Sequence, residues 1–192
     1  MGDLPVSGQL RISHVFSDKE DIHAYERWRQ SMNVYPQRTN DANVLREGLA
    51  AGVRTVIVMP PMVYGAGIGL FNRISVQVPA LFSVALRRGR AVRIGDCPST
   101  ITYIHVEDLA YFYEMLLQRI VDGEPVPHDE SGILFADGGE FAWPELYEGV
   151  ARVLKKRGRL DSAELDILTL KEAAAELGAE TENNVEAGFA SK

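Results

Sequence analysis

The sequence predicts an α/β protein whose strands form a parallel sheet. Residues 53–59 are almost uniformly apolar after Arg54 and rich in β-branched side chains, which is typical of a strand buried on both faces of such a sheet. A predicted helix that ends at Gly52 precedes this strand, and half of a βαβ unit has this order. Helical and apolar extended segments continue to alternate further along, which favours the same class.

Caps, chain breakers and periodicity define the other elements. Acidic residues after Ser17 favour a helix to about Gln30, and the Tyr35-Pro36 pair interrupts it. Asn40 or Asp41 can cap the next helix. The other predicted elements are a glycine-rich loop from Pro60 to Gly69, helices at 78–88, 109–121 (capped by Asp108), 144–155 and 170–177, and strands at 92–94, 101–104 and 132–136.

Composition narrows the classes of protein and partner. The 192 residues are 46% hydrophobic and 24% charged, which is the balance of one globular domain. The net charge of −7 argues against a nucleic-acid partner, because phosphate binding needs surplus basic residues. Cys97 is the only cysteine, so an intrachain disulfide is impossible, and no apolar run is long enough to be a signal peptide or a membrane span. We expect a cytoplasmic protein without a membrane partner.

The glycine-rich loop does not match a dinucleotide-binding fingerprint. Such a motif needs G-x-G-x-x-G directly between a strand and a helix, so that the backbone can approach the pyrophosphate. Residues 65–69 read G-A-G-I-G, position 70 is Leu, and two prolines separate the loop from the strand. The loop nevertheless follows the carboxyl end of a predicted strand, where ligands bind in open α/β sheets. A strand-ending turn and the wall of a ligand crevice both stay open.

Two linked segments resemble the extended short-chain dehydrogenases, the NAD-dependent epimerase/dehydratase type. Residues 52–65 resemble that family's strand followed by P-x-x-x-Y-G, and Gly95-Asp96 with residues 103–110 resembles its G-D … H-V-D-D-L-A segment, at a suitable distance. Residues 18–21 and 69–73, with Gln77 and Pro79, resemble a fungal-type subgroup of atypical members. The resemblance covers about 16–157.

The resemblance implies an incomplete Rossmann-type parallel sheet, its C-terminal half, with a small substrate-binding region. It implies NAD or NADP as cofactor, and hydride transfer to or from a CH–OH, aldehyde or sugar-nucleotide substrate. Family members use a Y-x-x-x-K pair, in which the lysine lowers the pKa of the tyrosine that acts as acid or base. Carried onto this sequence, the candidate cofactor-binding residues are Pro60, Pro61, Tyr64 and Gly65, and the candidate substrate-binding residues are Phe71, Asn72 and Arg93.

The sequence departs from the family at its reaction centre. Tyr35 takes the tyrosine's place by position, but the lysine position holds Thr39, and the neighbouring Arg38 is the available cation. Tyr35 and Arg38 are therefore the candidate catalytic residues, and the alternative is a tyrosine that only packs at a loop–helix junction. Tyr25 and Arg29 have the right spacing but lie in an earlier helix.

The family's G-x-x-G-x-x-G motif has no counterpart upstream. We therefore expect a truncated chain with three regions: a loop or remnant N-terminus at 1–16, a partial Rossmann-type domain with substrate-binding elements at 17–158, and a C-terminal helix with a polar tail at 159–192. The leading hypothesis is an NAD(P)-dependent oxidoreductase or epimerase that acts on a small molecule. The alternative is a catalytically inactive remnant that binds a partner or a metabolite.

Other constellations favour structural roles. His105, Glu107 and Asp108 are too few and too local for zinc, so we expect no metal site. Arg87, Arg88 and Arg90 sit at a predicted helix C-terminus, where the helix dipole favours cations on a solvated surface. In nucleotide-sugar members an arginine near here holds a diphosphate, and Arg93 is the candidate. Aromatic residues at 111–113 are expected to divide between the core and a subunit or domain contact, which leaves a homodimer open.

Overall fold

A computed structural model describes residues 15–96 and 98–189 and confirms the α/β class. Cys97 and residues 1–14 of the predicted N-terminal remnant lie outside the described residues. The helices are α1 (Ile22–Met32), α2 (Pro36–Ala51), α3 (Gln77–Arg88), α4 (Val106–Val121), α5 (Trp143–Lys156), α6 (Leu170–Leu177) and α7 (Glu182–Phe189). The strands are β1 (Ile57–Met59), β2 (Met62–Tyr64), β3 (Ala91–Ile94), β4 (Thr100–His105), β5 (Ile133–Phe135), β6 (Gly139–Ala142) and β7 (Leu165–Leu168). Strands pair in parallel as β1–β5, β2–β4 and β3–β7, and β4 pairs antiparallel with β6.

The described chain divides into two compact units. Unit 1 contains the described residues up to Met59 together with Phe112–Ala136. Unit 2 contains Pro60–Tyr111 and the described residues from Asp137 onward. Within the described part of the chain, no helix combines the length and the apolar character that a membrane span needs.

The core of unit 2 is organised by α5. Its buried positions fall at the spacing of one helical face, so this amphipathic helix has one side that must be covered. The opposing buried side chains come from α3, β3, β7 and α6, so residues beyond position 159 contribute to the same core. The buried face of α5 consists of Trp143, Tyr147, Val150, Ala151 and Leu154.

Unit 1 is a helix pair packed on the β1–β5 strand pair. Asp21 caps α1 by accepting a hydrogen bond from the Ala24 amide at 2.9 Å. Pro36 occupies the first turn of α2, where its missing N–H costs no helical hydrogen bond. Ile22, Leu45 and Ile133 form the small buried core between these elements.

Several expected boundaries are wrong. Helix α2 begins at Pro36 rather than at Asn40 or Asp41, because proline initiates the helix instead of only interrupting the preceding one. Asp108 lies in the first turn of α4, which begins at Val106, and is therefore not its cap. The strand predicted at 53–59 is confined to Ile57–Met59, and β2 lies inside the predicted loop. Strands β6 and β7 and helix α7 were not predicted.

Asp129 ties the start of β1 to the turn before β5. Its carboxylate accepts hydrogen bonds from the Thr55 amide at 3.1 Å and the Thr55 hydroxyl at 3.2 Å, and its other oxygen lies 2.8 Å from His128 Nδ1. The Asp129 amide in turn donates to the Thr55 carbonyl at 2.7 Å. The contact with His128, followed by those from Thr55, lowers the pKa of the Asp129 carboxyl.

We expect Asp129→Asn to destabilise the protein at pH 7. Because the folded state lowers this pKa below 3.8, the ionised carboxylate stabilises the fold fully above that value. The stabilisation is lost as the pH falls through the folded-state pKa, so the variant and the wild type should converge there. Urea midpoints measured from pH 7 down to pH 3 test this, and a difference that does not change with pH would contradict it. Asparagine tolerates the positive φ of 57° at this position, so the backbone is not strained by the change.

Neighbouring residues of α5 provide a matched test of the unit 2 core. Leu154 is 4% exposed and Val153 is 46% exposed. Leu154→Ala should lower the free energy of unfolding by about 2–5 kcal/mol, because it leaves a cavity among packed side chains. Val153→Ala should change it by less than about 0.5 kcal/mol. Denaturant unfolding of both variants tests this assignment, and equal losses would show that α5 does not present this face to the core.

Candidate functional site

The P-x-x-x-Y-G part of the first resembling segment, at 60–65, and the second resembling segment lie side by side in unit 2. Strand β2 ends the P-x-x-x-Y-G segment and pairs in parallel with β4, and the register sets Tyr64 opposite His105. Both strands therefore finish at the same edge of the sheet, which is where α/β proteins bind their ligands. The sequence could predict each segment, but only the strand register shows that they meet.

Gly65 packs directly against His105. A Cβ atom built on Gly65 would lie 2.3 Å from His105 Nε2. Gly65 also adopts a φ of 99°, which residues with a Cβ atom rarely adopt. The Tyr64 ring meets the same imidazole edge-on, with ring centroids 5.1 Å apart. His105 Nδ1 accepts the Glu107 amide at 3.3 Å, which assigns the ring proton of the neutral imidazole to Nε2.

The loop after Gly65 turns back and encloses a pocket of about 290 Å³. A bridge pairs Ala66 with Ile74, the Gly67 amide donates to the Arg73 carbonyl at 2.7 Å, and Arg73 Nε donates to the Gly67 carbonyl at 3.0 Å. The pocket is lined by Pro61, Val63, Gly65, Gly67, Asn72, Arg73, Ile74, Ser75, Val76, Gln77 and Val106.

Three of the predicted ligand-binding residues line this pocket, namely Pro61, Gly65 and Asn72. Asn72 adopts a left-handed φ of 41°, a conformation that asparagine tolerates better than most residues. Pro60 and Tyr64 flank the lining residues without being part of the lining. Phe71 stands at the loop tip and is 85% exposed.

Arg93 is placed apart from this pocket lining, on β3. Its guanidinium donates to the Gly95 carbonyl at 3.1 Å and pairs with Asp96. A substrate phosphate would have to compete with these partners. Substrate binding by Arg93 therefore stays a prediction from the resemblance.

The neighbouring arginines form ion pairs. Arg88 and Arg90 both reach Asp166, at 3.5 and 2.8 Å. Arg88 also hydrogen-bonds Glu176 at 2.7 Å, and this bond lowers the pKa of the Glu176 carboxyl. The cluster thus joins α3 and β3 to β7 and α6.

The predicted catalytic pair belongs to unit 1. The Arg38 guanidinium carbon lies 5.3 Å from the centroid of the Tyr35 ring, so the cation faces the aromatic ring. Arg38 also forms an ion pair with Glu26 at 3.2 Å and donates to the Asn33 carbonyl at 2.8 Å. The Tyr35 amide donates to Gln30 at 3.0 Å. Arg38 is thus committed to holding the junction between α1 and α2.

Sequence reasoning did not single out several pocket residues. Arg73, Ser75 and Val106 line the pocket but were not candidate site residues. His105, which packs on Gly65, was quoted in a resembling segment but weighed individually only as a metal ligand or as a strand end. Val106 and His105 lie within the H-V-E-D-L-A segment, so that motif was the available signal. Among the described residues, no group of three or more His, Cys, Asp or Glu side chains is arranged to hold a metal ion.

Comparison with known proteins gives one sequence relative and a fold likeness. No protein-family model matches the sequence. Oxidase ucsJ of Acremonium sp is 26% identical over 131 residues, which cover 64% of this chain and 38% of that oxidase. The chain therefore spans well under half the length of this curated relative.

Among solved structures, the PbgP3 protein from Burkholderia pseudomallei has the same fold, with a TM-score of 0.50, 13% identity and coverage of 80% of this chain and 51% of that one. Pal from Bacillus thuringiensis (TM-score 0.42, 17% identity, 78% and 44% coverage) and RMD from Pseudomonas aeruginosa complexed with NADPH (0.39, 18%, 77% and 45%) superpose too loosely to bear on this fold. The likeness to PbgP3 supports the Rossmann-like α/β class.

Substitution of Gly65 tests the contact that shapes this site. Gly65→Ala should destabilise the protein by about 1–3 kcal/mol, because the new methyl group meets His105 and the positive φ becomes strained. Gly149→Ala is the matched control, since a Cβ there meets no atom within 4 Å in the middle of α5. Thermal and urea unfolding measure both changes. A Gly65→Ala protein as stable as the wild type would show that His105 does not pack on this glycine.

Proposed function

We propose that this chain belongs to the extended short-chain dehydrogenases and contributes to an NAD(P)-dependent oxidoreductase or epimerase. The observation that carries the proposal is the pocket at the ends of β2 and β4, where the P-x-x-x-Y-G and H-V-E-D-L-A segments meet. The sequence relationship to an oxidase supports a redox role. The substrate is a small molecule with a CH–OH or aldehyde group, or a sugar nucleotide, as the family resemblance implies.

The pocket suits one end of a dinucleotide rather than the whole of it. Its volume of about 290 Å³ lies at the lower limit of ligand sites. The side chains of Asn72, Ser75 and Gln77 and the backbone of the glycines can hydrogen-bond a carboxamide and sugar hydroxyls. When bound, a nicotinamide would supply the hydride acceptor or donor, while these residues would orient its ring and ribose.

The pyrophosphate does not fit the glycine-rich loop. Phosphate cradles place their glycines at the start of a helix, whose amides then face the anion. Here α3 begins only at Gln77, after the loop has turned back on itself through the Ala66–Ile74 bridge. The proposal therefore assigns no pyrophosphate contact to residues 65–69.

A specific observation favours the alternative, a catalytically inactive remnant that binds a metabolite or a partner. Thr39 occupies the lysine position and donates its hydroxyl to the Tyr35 carbonyl at 3.2 Å, so it supplies no cation. Arg38 is engaged by Glu26 and Asn33. The roles of Tyr35 as acid or base and of Arg38 as its helper remain predictions from the resemblance.

Titration of the full chain with NAD⁺, NADH, NADP⁺ and NADPH tests the proposal. We expect saturable binding of at least one of them, followed by calorimetry or by nicotinamide fluorescence. Gly65→Ala should abolish this binding because it displaces the loop that walls the pocket, whereas Gly149→Ala should preserve it.

Absence of binding by all four nucleotides to the folded chain would contradict the oxidoreductase proposal and favour the inactive alternative. If a nucleotide binds, Tyr35→Phe then tests the acid or base role. Turnover should fall while nucleotide affinity stays unchanged, because only the hydroxyl is removed.

A further inference from the structure

Unit 1 contains a cavity that shares no lining residue with the proposed nicotinamide pocket, although the candidate catalytic residue Arg38 lines it. It has a volume of about 310 Å³ and lies between α1, α2 and the β1–β5 strand pair. Its lining includes the apolar residues Ala42, Leu45, Met59 and Ile133, of which Leu45 and Ile133 belong to the buried core of this unit. Apolar surface of this kind gains free energy when a ligand removes it from water.

The polar groups on the α1 side of this cavity are already paired. Glu26 forms an ion pair with Arg38 at 3.2 Å, and the Gln30 amide donates to the Thr39 hydroxyl at 2.6 Å. His23 Nδ1 lies 3.6 Å from Glu130. Arg27 lies on the exposed rim, where solvent and salt screen its charge.

Asp41 is the exception on the α2 side. Its half-buried carboxylate lines the cavity and, among the described residues, accepts no hydrogen bond and forms no ion pair. Partial burial raises the pKa of the Asp41 carboxyl, because it disfavours the charged form. The Asp41 carboxylate beside apolar surface is thus complementary to a ligand that combines a hydrogen-bond donor group with an apolar part.

We propose that this cavity binds a small primary amine with an apolar body, whose ammonium group donates hydrogen bonds to Asp41. The body packs on Ala42 and Met59, the apolar lining residues that keep accessible surface, and the volume suits a single ring with a short side chain. The ammonium supplies the donor that Asp41 lacks among the residues that the structure describes. The linings of this cavity and of the unit 2 pocket have no residue in common.

Calorimetric titration of the full chain with 2-phenylethylamine tests this site, with phenylacetate as the ligand of opposite charge and similar shape. The amine should bind saturably, and phenylacetate should bind at least about tenfold more weakly, because its charge repels Asp41. Asp41→Asn should weaken the amine by about tenfold, since a charge-assisted hydrogen bond becomes a neutral one. Asp161→Asn, at an exposed position outside the cavity, should leave the affinity unchanged.

Three outcomes would overturn the proposal: no saturable binding of the amine, equal binding of phenylacetate, or an Asp41→Asn protein that binds the amine as tightly as the wild type. The comparison of the two ligands needs no variant, so it decides the question even if Asp41→Asn does not fold. Gly65→Ala should leave amine binding unchanged. A failure of nucleotide binding is therefore distinguishable from a failure at this cavity.

Discussion

The packing of His105 on Gly65 is the contact on which the candidate site in unit 2 depends. A side chain at position 65 would occupy the same space as the imidazole, so only glycine lets β2 and β4 finish side by side. The positive φ of Gly65 then directs the chain away from the strand. The loop returns through the Ala66–Ile74 bridge and walls a pocket against Val106, the first residue of α4. The contact between Gly65 and His105 thus determines both where the two strands end and the path of the loop that surrounds these ends.

The same contact also gives His105 a role other than metal binding. Its Nδ1 accepts the Glu107 amide at the start of α4, which fixes the ring relative to the helix that follows β4. Tyr64 packs edge-on against the imidazole and at 5.6 Å against Tyr103, so the strand ends are joined by aromatic contacts as well as by backbone hydrogen bonds. His105 therefore positions the site through its packing.

Elements in which apolar residues recur regularly were predictable from the sequence, and short elements were not. Helix α5 was predicted because its apolar residues recur over three turns, and Pro144 suits its first turn. Strand β2 was missed because three residues between Pro61 and Gly65 show no measurable period, and its pairing with β4 is a long-range contact. Strand β7 was missed because the charged residue Asp166 interrupts its apolar pattern. Only the structure shows that Arg88 and Arg90 form ion pairs with this carboxylate.

The site residues likewise divide into those that the sequence predicted and those that only the structure shows. Pro61, Gly65 and Asn72 were found because the motif resemblance marks them. Arg73 lies in a resembling run but was not named as a site residue, and no motif marked Ser75; both line the pocket because the loop turns back on itself. For Arg38 the position along the chain is a weak guide to its role. A cation that lowers a tyrosine's pKa must approach the phenol oxygen, while the Arg38 guanidinium faces the ring and is held by Glu26 and Asn33.

The two cavities differ in the ligands they can accept. The pocket of unit 2 offers backbone groups, Asn72, Ser75 and an arginine, which suits a polar ligand rich in oxygen atoms. The cavity of unit 1 is mainly apolar, and the half-buried Asp41 carboxylate in its lining has no ion-pair partner among the described residues. Both linings carry apolar side chains, so their polar groups distinguish them. The Asp41 carboxylate favours the proposed cationic ligand in unit 1, whereas Asn72, Ser75 and Arg73 favour the proposed oxygen-rich ligand in unit 2.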